Sequence, residues 1–160
     1  MTDLTFRPAT PADIPALTDI WDAGWHQGHA ETAPPELTAL RTRQSFAERI
    51  AAHLPATFLS ESGGAIAGFV MLEGNEIYQF YVARPFQGTD VARRQMAEAE
   101  RRLAATGHCD VWLACGLGNA RAARFYGKCG WENVGRRREE METSAGPFAL
   151  DIIRFEKSLA

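Results

Sequence analysis

Ile14, Leu17, Trp21 and Trp25 recur at intervals of three and four, the spacing that lines apolar side chains along one helix face. Asp13 is placed to cap that helix, and Pro15 is tolerated in its first turn. Upstream, Leu4 to Arg7 predicts a first strand. The stretch from Gly28 to Pro35 reads as a loop ended by the Pro34-Pro35 pair. A second helical region follows, and Ser45-Phe46-Ala47-Glu48 has the form of a capping box for its last section. Phe46, Ile50 and Leu54 would then face the core.

The pattern next changes to short strand-like segments divided by turn residues. Thr57 to Ser60 precedes Ser62-Gly63-Gly64, Ile66 to Leu72 precedes Glu73-Gly74-Asn75, and Glu76 to Val82 comes third. This predicts an antiparallel meander. Alternation along the third segment places Glu76, Tyr78, Phe80 and Val82 on one face. A helix then carries Val91, Met96, Ala99 and Leu103 on its apolar side and ends at Gly107. Asp110 to Cys115 is a mostly apolar strand suited to a sheet interior. Asn119 caps a helix that Gly130 terminates. Trp131 to Glu140 and Phe148 to Phe155 form a last hairpin around Ser144-Ala145-Gly146-Pro147. The order is mixed α/β within one domain, residues 1–160.

Composition narrows the possible functions. A net charge of −3 gives no support for nucleic-acid binding, which needs a concentrated basic face. Arg136-Arg137-Arg138 is followed by Glu139, Glu140 and Glu142, which suits a solvated strand. No apolar leader is visible and no apolar run is long enough to span a bilayer, so a cytoplasmic protein without membrane contact is expected. Cys109, Cys115 and Cys129 lack a zinc-type pair and read as reduced thiols.

The most informative stretch runs from Phe80 to Ala92. A strand enters a Gly-containing loop and then a helix, leaving main-chain N–H groups at the positive helix end as a seat for a phosphate. Taken alone, it also fits an ordinary turn with Asp90 capping the helix. Gln87-Gly88-Thr89-Asp90-Val91-Ala92 resembles the acyl-CoA signature of the GNAT N-acetyltransferase superfamily, (Gln/Arg)-x-x-Gly-x-(Gly/Ala), with Asp90 where that family usually has Gly. Two further segments carry the resemblance. Arg7-Pro8-Ala9-Thr10-Pro11-Ala12-Asp13 is similar to the family's opening. Asn119, Ala122, Phe125, Tyr126, Gly130 and Trp131 match its Asn-x-x-Ala-x-x-Phe-Tyr-x-x-x-Gly-(Phe/Trp) pattern.

The resemblance implies a central, mostly antiparallel twisted sheet of about six to seven strands, helices on both faces, and a splay between the fourth and fifth strands. It implies acetyl transfer from acetyl-CoA to a primary amine of a small molecule or peptide, by direct attack in a ternary complex, in a protein that often forms dimers. The pyrophosphate role falls on the loop Gln87, Gly88, Thr89, Asp90, Val91, Ala92 and Arg93. Pairing with the pantetheine arm falls on Phe80, Tyr81, Val82 and Asn119, and one strand N–H there would polarise the thioester carbonyl. Tyr126 takes the place of the donor to the departing thiolate, and Glu76 that of the base. A second glutamate used by some relatives is Ala114 here. Trp25, His26 and His29, in the segment after the first helix, would shape the acceptor site. No third ligand accompanies the two histidines, so no metal is expected.

Magnitudes bound these roles. A phenol near pKa ~10 facing a thiol near ~8.5 makes full proton transfer uphill by roughly 2 kcal/mol, so Tyr126 suits hydrogen-bond donation. A carboxylate near ~4.3 facing an ammonium near ~10.4 is mismatched by about 8 kcal/mol, so Glu76 needs burial or a water relay. Asp90 at about 5 Å from a phosphate costs roughly 1 to 3 kcal/mol, or fivefold to two hundredfold in affinity. Its carboxylate could also occupy N–H groups that the phosphate needs. Asp90 and the mismatch at Glu76 therefore leave open a non-catalytic acyl-CoA-binding module, and a third possibility is a structural protein that binds no CoA.

Overall fold

The computed structural model describes residues 3–160; residues 1 and 2 of the expected domain lie outside it. Seven strands form one sheet in the order β1-β2-β3-β4-β5-β7-β6. They are β1 (Thr5–Pro8), β2 (Thr57–Ser62), β3 (Ala65–Glu73), β4 (Glu76–Val82), β5 (Asp110–Gly116), β6 (Glu132–Met141) and β7 (Phe148–Ser158). All neighbours run antiparallel except β4 and β5, which are parallel. This is the mixed α/β sheet that the sequence predicts.

Three helices, α1 (Ile14–His29), α2 (Pro35–Leu40) and α3 (Arg43–Ala52), cover one face. Their Leu17, Trp21, Leu37, Phe46 and Ile50 pack against Leu59, Phe69 and Met71 of the meander. On the other face, α4 (Val91–Ala105) buries Met96, Ala99 and Leu103 against Phe58, Val70 and Val111. The helix α5 (Ala120–Lys128) adds Ala122, Phe125 and Tyr126 to the same cluster. Burial of these apolar surfaces, at roughly 25 cal/mol per Å², is the main force holding helices to sheet.

Four local expectations are corrected. The helix α1 continues through Gly28 and His29, so Trp25, His26 and His29 belong to its last turns and not to a loop. Helical geometry then points Trp25 and His29, four residues apart, to one side and His26 to another. Asp13 does not cap α1. Its carboxylate instead accepts from Thr10 N at 2.8 Å and from the Arg7 fork at 2.8 and 2.9 Å, locking the turn before the helix. The cap of α3 is Thr42, whose hydroxyl accepts from Ser45 N at 3.1 Å, so Ser45 lies inside the helix.

The fourth correction concerns β4. Met71 pairs with Gln79 but Leu72 pairs with Ile77, so Tyr78 is an extra residue that breaks the alternation. Ile77 and Phe80 face α4 and α5, whereas Tyr78 and Tyr81 face α1 and α3. Glu76, Tyr78, Phe80 and Val82 therefore do not share a face.

Candidate active site

β4 and β5 meet at a single bridge, Glu76 opposite Trp112. Trp112 N donates to Asn75 O at 3.2 Å, and Asn75 Nδ2 donates to Asp110 O at 3.0 Å, so the two strands are tied only where they begin. Among the described residues no further β4–β5 pair follows, and the strands open into a wedge whose β4 side offers main-chain groups without a sheet partner. Two cavities reach this wedge from opposite faces of the sheet. Both are lined by His29, Tyr78, Gln79, Tyr81, Ala114 and Gly116.

The first cavity, about 850 Å³, lies between β4, the loop before α4, and α5. It brings together Phe80, Tyr81, Val82, Gln87, Gly88 and Thr89 with Asp90, Ala92, Arg93, Asn119 and Tyr126. The Val91 side chain is instead buried with Leu4 and Ala67. Gln87 ties the loop down: its Nε2 donates to Val82 O at 3.1 Å, and it exchanges amide hydrogen bonds with Gln27 of α1 at 3.1 and 3.2 Å. Asn119 Oδ1 accepts from Ala122 N at 3.2 Å, capping α5 as its position in the sequence predicts.

The Asp90 carboxylate caps no N–H of α4 and lies 3.8 Å from Arg94 Nη1. The expectation that it could occupy the loop N–H groups is thus corrected. Thr89 Oγ1 takes one of them, accepting from Val91 N at 3.3 Å. A set of cations not foreseen from the sequence stands in the same cavity. Arg93 is joined along the cavity wall by Arg121, Arg124 and Lys128, while Asp90 is the one carboxylate among the described lining residues. Residues 121, 124 and 128 are spaced three and four apart on α5, a stripe that the sequence could have revealed.

The second cavity, about 940 Å³, opens on the opposite face beneath α1 and α2. Trp25, His29 and Glu76 line it, with Arg41, Arg49 and Glu142. His26 lines neither cavity; it is exposed, with Nδ1 2.8 Å from Asp22 O. The structure therefore brings two of the three proposed acceptor residues to the wedge and leaves His26 outside.

Burial sets the protonation behaviour around the gap. Desolvation raises the Glu76 carboxyl to about 7, helped by Glu73 and Glu139 and opposed by Arg154. Desolvation, then the Arg41 charge, holds His29 down at about 4, so its ring is neutral near pH 7. Desolvation also raises Tyr126 well above the ordinary phenol range, with Cys115, Tyr81 and Cys129 adding to the effect. The Tyr126 ring is held 5.7 Å from Phe125 and 5.5 Å from Phe155, centroid to centroid. The three cysteines are free, and among the described residues no group of His, Cys, Asp or Glu is placed to hold a metal ion. No helix among the described residues is long and apolar enough to cross a membrane.

The sequence matches the acetyltransferase (GNAT) family over residues 14–131, and the chain belongs to that family. No curated protein sequence matches it. Among solved structures, it is similar to a GCN5-related N-acetyltransferase (aminotransferase, class-II) from Rhodopseudomonas palustris, with 24% identity and a TM-score of 0.76 over 99% of this chain and 98% of that one. It is also similar to the PaiA N-acetyltransferase of Thermoplasma acidophilum in complex with coenzyme A, at 16% identity and a TM-score of 0.66 over 98% and 99% of the two chains. A third is YncA, a putative acetyltransferase from Salmonella typhimurium with its cofactor acetyl-CoA, at 16% identity and a TM-score of 0.67 over 99% and 95%.

Proposed function

We propose that the chain transfers an acetyl group from acetyl-CoA to a primary amine of a small molecule or peptide, with both substrates bound at once. One observation carries this reading: two cavities of different chemistry, one basic and one mixed in charge, meet at an unpaired strand edge. The basic cavity suits an acyl-CoA. Loop N–H groups left uncapped by Asp90 and the cations Arg93, Arg121, Arg124 and Lys128 match its phosphates. The open edge of β4 matches its pantetheine amides. Two of the similar solved structures hold coenzyme A or acetyl-CoA, which agrees with this assignment.

Bound acetyl-CoA would supply an activated thioester, so that a C–N bond forms on the amine as the C–S bond breaks. The main-chain N–H groups of β4 along the open wedge are the donors available to the thioester oxygen. Glu76, at about 7, is half ionised near neutral pH and fully so above it, and its carboxylate accepts the proton that the amine gives up, directly or through water. Its mismatch with an ammonium near ~10.4 falls from about 8 to about 5 kcal/mol, which a water relay and an amine already sharing its proton can bridge. Tyr126 stays protonated throughout and donates a hydrogen bond to the departing sulfur. Asn119 and Phe80 to Val82 align the pantetheine arm, while Trp25 and His29 bound the acceptor.

The reading is tested by following release of free CoA thiol from acetyl-CoA with pooled amines and short peptides. Turnover is expected with at least one pool. Binding of acetyl-CoA with no thiol release in any pool would reduce the protein to a binding module.

A further inference from the structure

Arg41 and Arg49 are 5% and 7% exposed, yet both border the acceptor cavity. A guanidinium has five N–H donors, and burying it is costly unless they are paired. Arg41 Nη1 donates to the Glu142 main-chain O at 2.6 Å, but its Nε is buried with no partner. Arg49 stacks over Trp21 at 4.4 Å; its Nη2 lies 3.3 Å from the Tyr78 hydroxyl and its Nε 3.5 Å from Glu142 Oε1.

The carboxylate beside them is already occupied. Glu142 Oε1 accepts from Tyr78 Oη at 2.6 Å and faces His53 Nε2 at 2.9 Å. Of the other acids along this cavity, Asp151 is paired with Arg136 and Arg138 at 2.7 and 3.1 Å. Glu73 and Glu139 act on Glu76, and Glu140 also lines the cavity. The cavity thus has an anionic region at Glu76 and a buried cationic region at Arg41 and Arg49 with donors to spare. Arg41 is near enough to His29 and Tyr81, at the wedge, to perturb both electrostatically.

Resting on the acetyl-transfer reading, we infer that the acceptor is an amino acid, whose free carboxylate is held by Arg41 and Arg49 while its amine is presented to the wedge beside Glu76. A planar carboxylate matches the guanidinium fork, and Arg41 borders the cavity with only its Nη1 given to the Glu142 main-chain O. Arg41, His29 and Glu76 line one cavity, which suits an acceptor that carries its amine close to its carboxylate.

The test compares the twenty L-amino acids with their carboxamides, and with dipeptides, as acceptors at saturating acetyl-CoA. The free acids should exceed the matched amides by roughly 10- to 100-fold in kcat/KM. Arg41→Met should raise KM for the acid by a similar factor with the affinity for acetyl-CoA unchanged, so that the acid-to-amide ratio falls toward one. Arg41→Lys should recover only part of it. Equal or faster turnover of the amides, or turnover only of amines without a carboxylate, would overturn the inference. If Arg41→Met fails to fold, the acid-to-amide ratio of the unsubstituted protein still decides. If no amine is acetylated, the transfer reading itself fails. Melting temperatures with each acid and amide then judge the carboxylate site separately: stabilisation by acids alone supports it, and equal or no stabilisation overturns it.

Discussion

The imidazole of His29 occupies the space where a side chain on Gly116 would begin: a methyl group there would lie 2.6 Å from His29 Nδ1. Gly116 ends β5 and His29 ends α1, so this contact sets how closely the helix approaches the open wedge. Gly116→Ala should displace the ring, which is stiff and cannot yield as a long side chain could. We expect acceptor KM to rise roughly tenfold with acetyl-CoA affinity unchanged, and His29→Ala in the same chain to relieve the clash. Two independent, additive losses in that double-substitution cycle would show that the contact does not matter.

Glu76 makes a prediction in pH. Its carboxyl is raised from 4.5 to about 7 in the folded protein, so the unfolded chain releases this proton first. Stability therefore falls as pH rises from about 4.5 to about 7, as the buried group is forced to ionise. Glu76→Gln lacks this penalty. After allowance for solvent screening, the substituted protein should gain about 1–2 kcal/mol relative to the parent between pH 4.5 and 8, by urea denaturation. Activity should run the other way. The parent's kcat/KM should rise through pH 7, and Glu76→Gln should lose that limb together with roughly 100-fold in rate. A limb that survives the substitution would take the base role away from Glu76.

These residues differ in how far the sequence exposed them. The loop from Gln87 to Arg93, the Asn119 cap and the Tyr126 position were legible because each depends on neighbours within a few residues. The succession of strands along the chain followed from short apolar segments separated by turns, whereas their joining in one splayed sheet came from the family resemblance. What escaped was set by contacts distant in sequence. The Tyr78 bulge is visible only when β4 is laid against β3, and it turns Tyr78 to the opposite face from Phe80. Arg41, just after α2, and Arg49, on α3, look like ordinary surface charges until Glu142, about a hundred residues later, folds over them. His26 was misplaced because Gly28 suggested a break, yet the helix runs on to His29 under the pull of Trp25 into the core.

Tyr126→Phe keeps the ring packed against Phe125 and Phe155 and removes only the hydroxyl. Since Tyr126 is protonated across the working range, its role is donation and no pH limb belongs to it. Turnover should fall roughly 100-fold, with the acetyl-CoA dissociation constant changed by less than about twofold. Equal turnover in the two proteins would reject the assignment.

Asp90→Gly should tighten acetyl-CoA binding, but only modestly. Asp90 is partly exposed, lies 3.8 Å from Arg94, and shares the cavity with Arg93, Arg121, Arg124 and Lys128. Screening by those cations places the gain at the low end of the Coulomb range, roughly fivefold. Calorimetric titration at two salt concentrations reads it directly, since an electrostatic gain shrinks as salt rises. An unchanged affinity would remove Asp90 from the binding site.

Gln95 is the hidden support of the wedge. It is fully buried on α4, accepts from Ser60 Oγ at 2.7 Å, and donates from Nε2 to Tyr81 O at 3.0 Å and Phe69 O at 3.3 Å. One amide thus fastens the helix to β2, β3 and the free end of β4. It can do so because Gly68 has no side chain; a methyl group there would lie 2.5 Å from Gln95 Oε1. Gln95→Leu fills a similar volume but leaves the Ser60 hydroxyl and the Tyr81 carbonyl without that partner, at a cost of about 2–4 kcal/mol by urea denaturation. Because the Tyr81 carbonyl belongs to the strand assigned to the pantetheine arm, acetyl-CoA affinity should fall in the variant while it is still fully folded. A stability loss with no change in affinity would mean that β4 keeps its course without Gln95, and that the wedge is held open by the Tyr78 bulge alone.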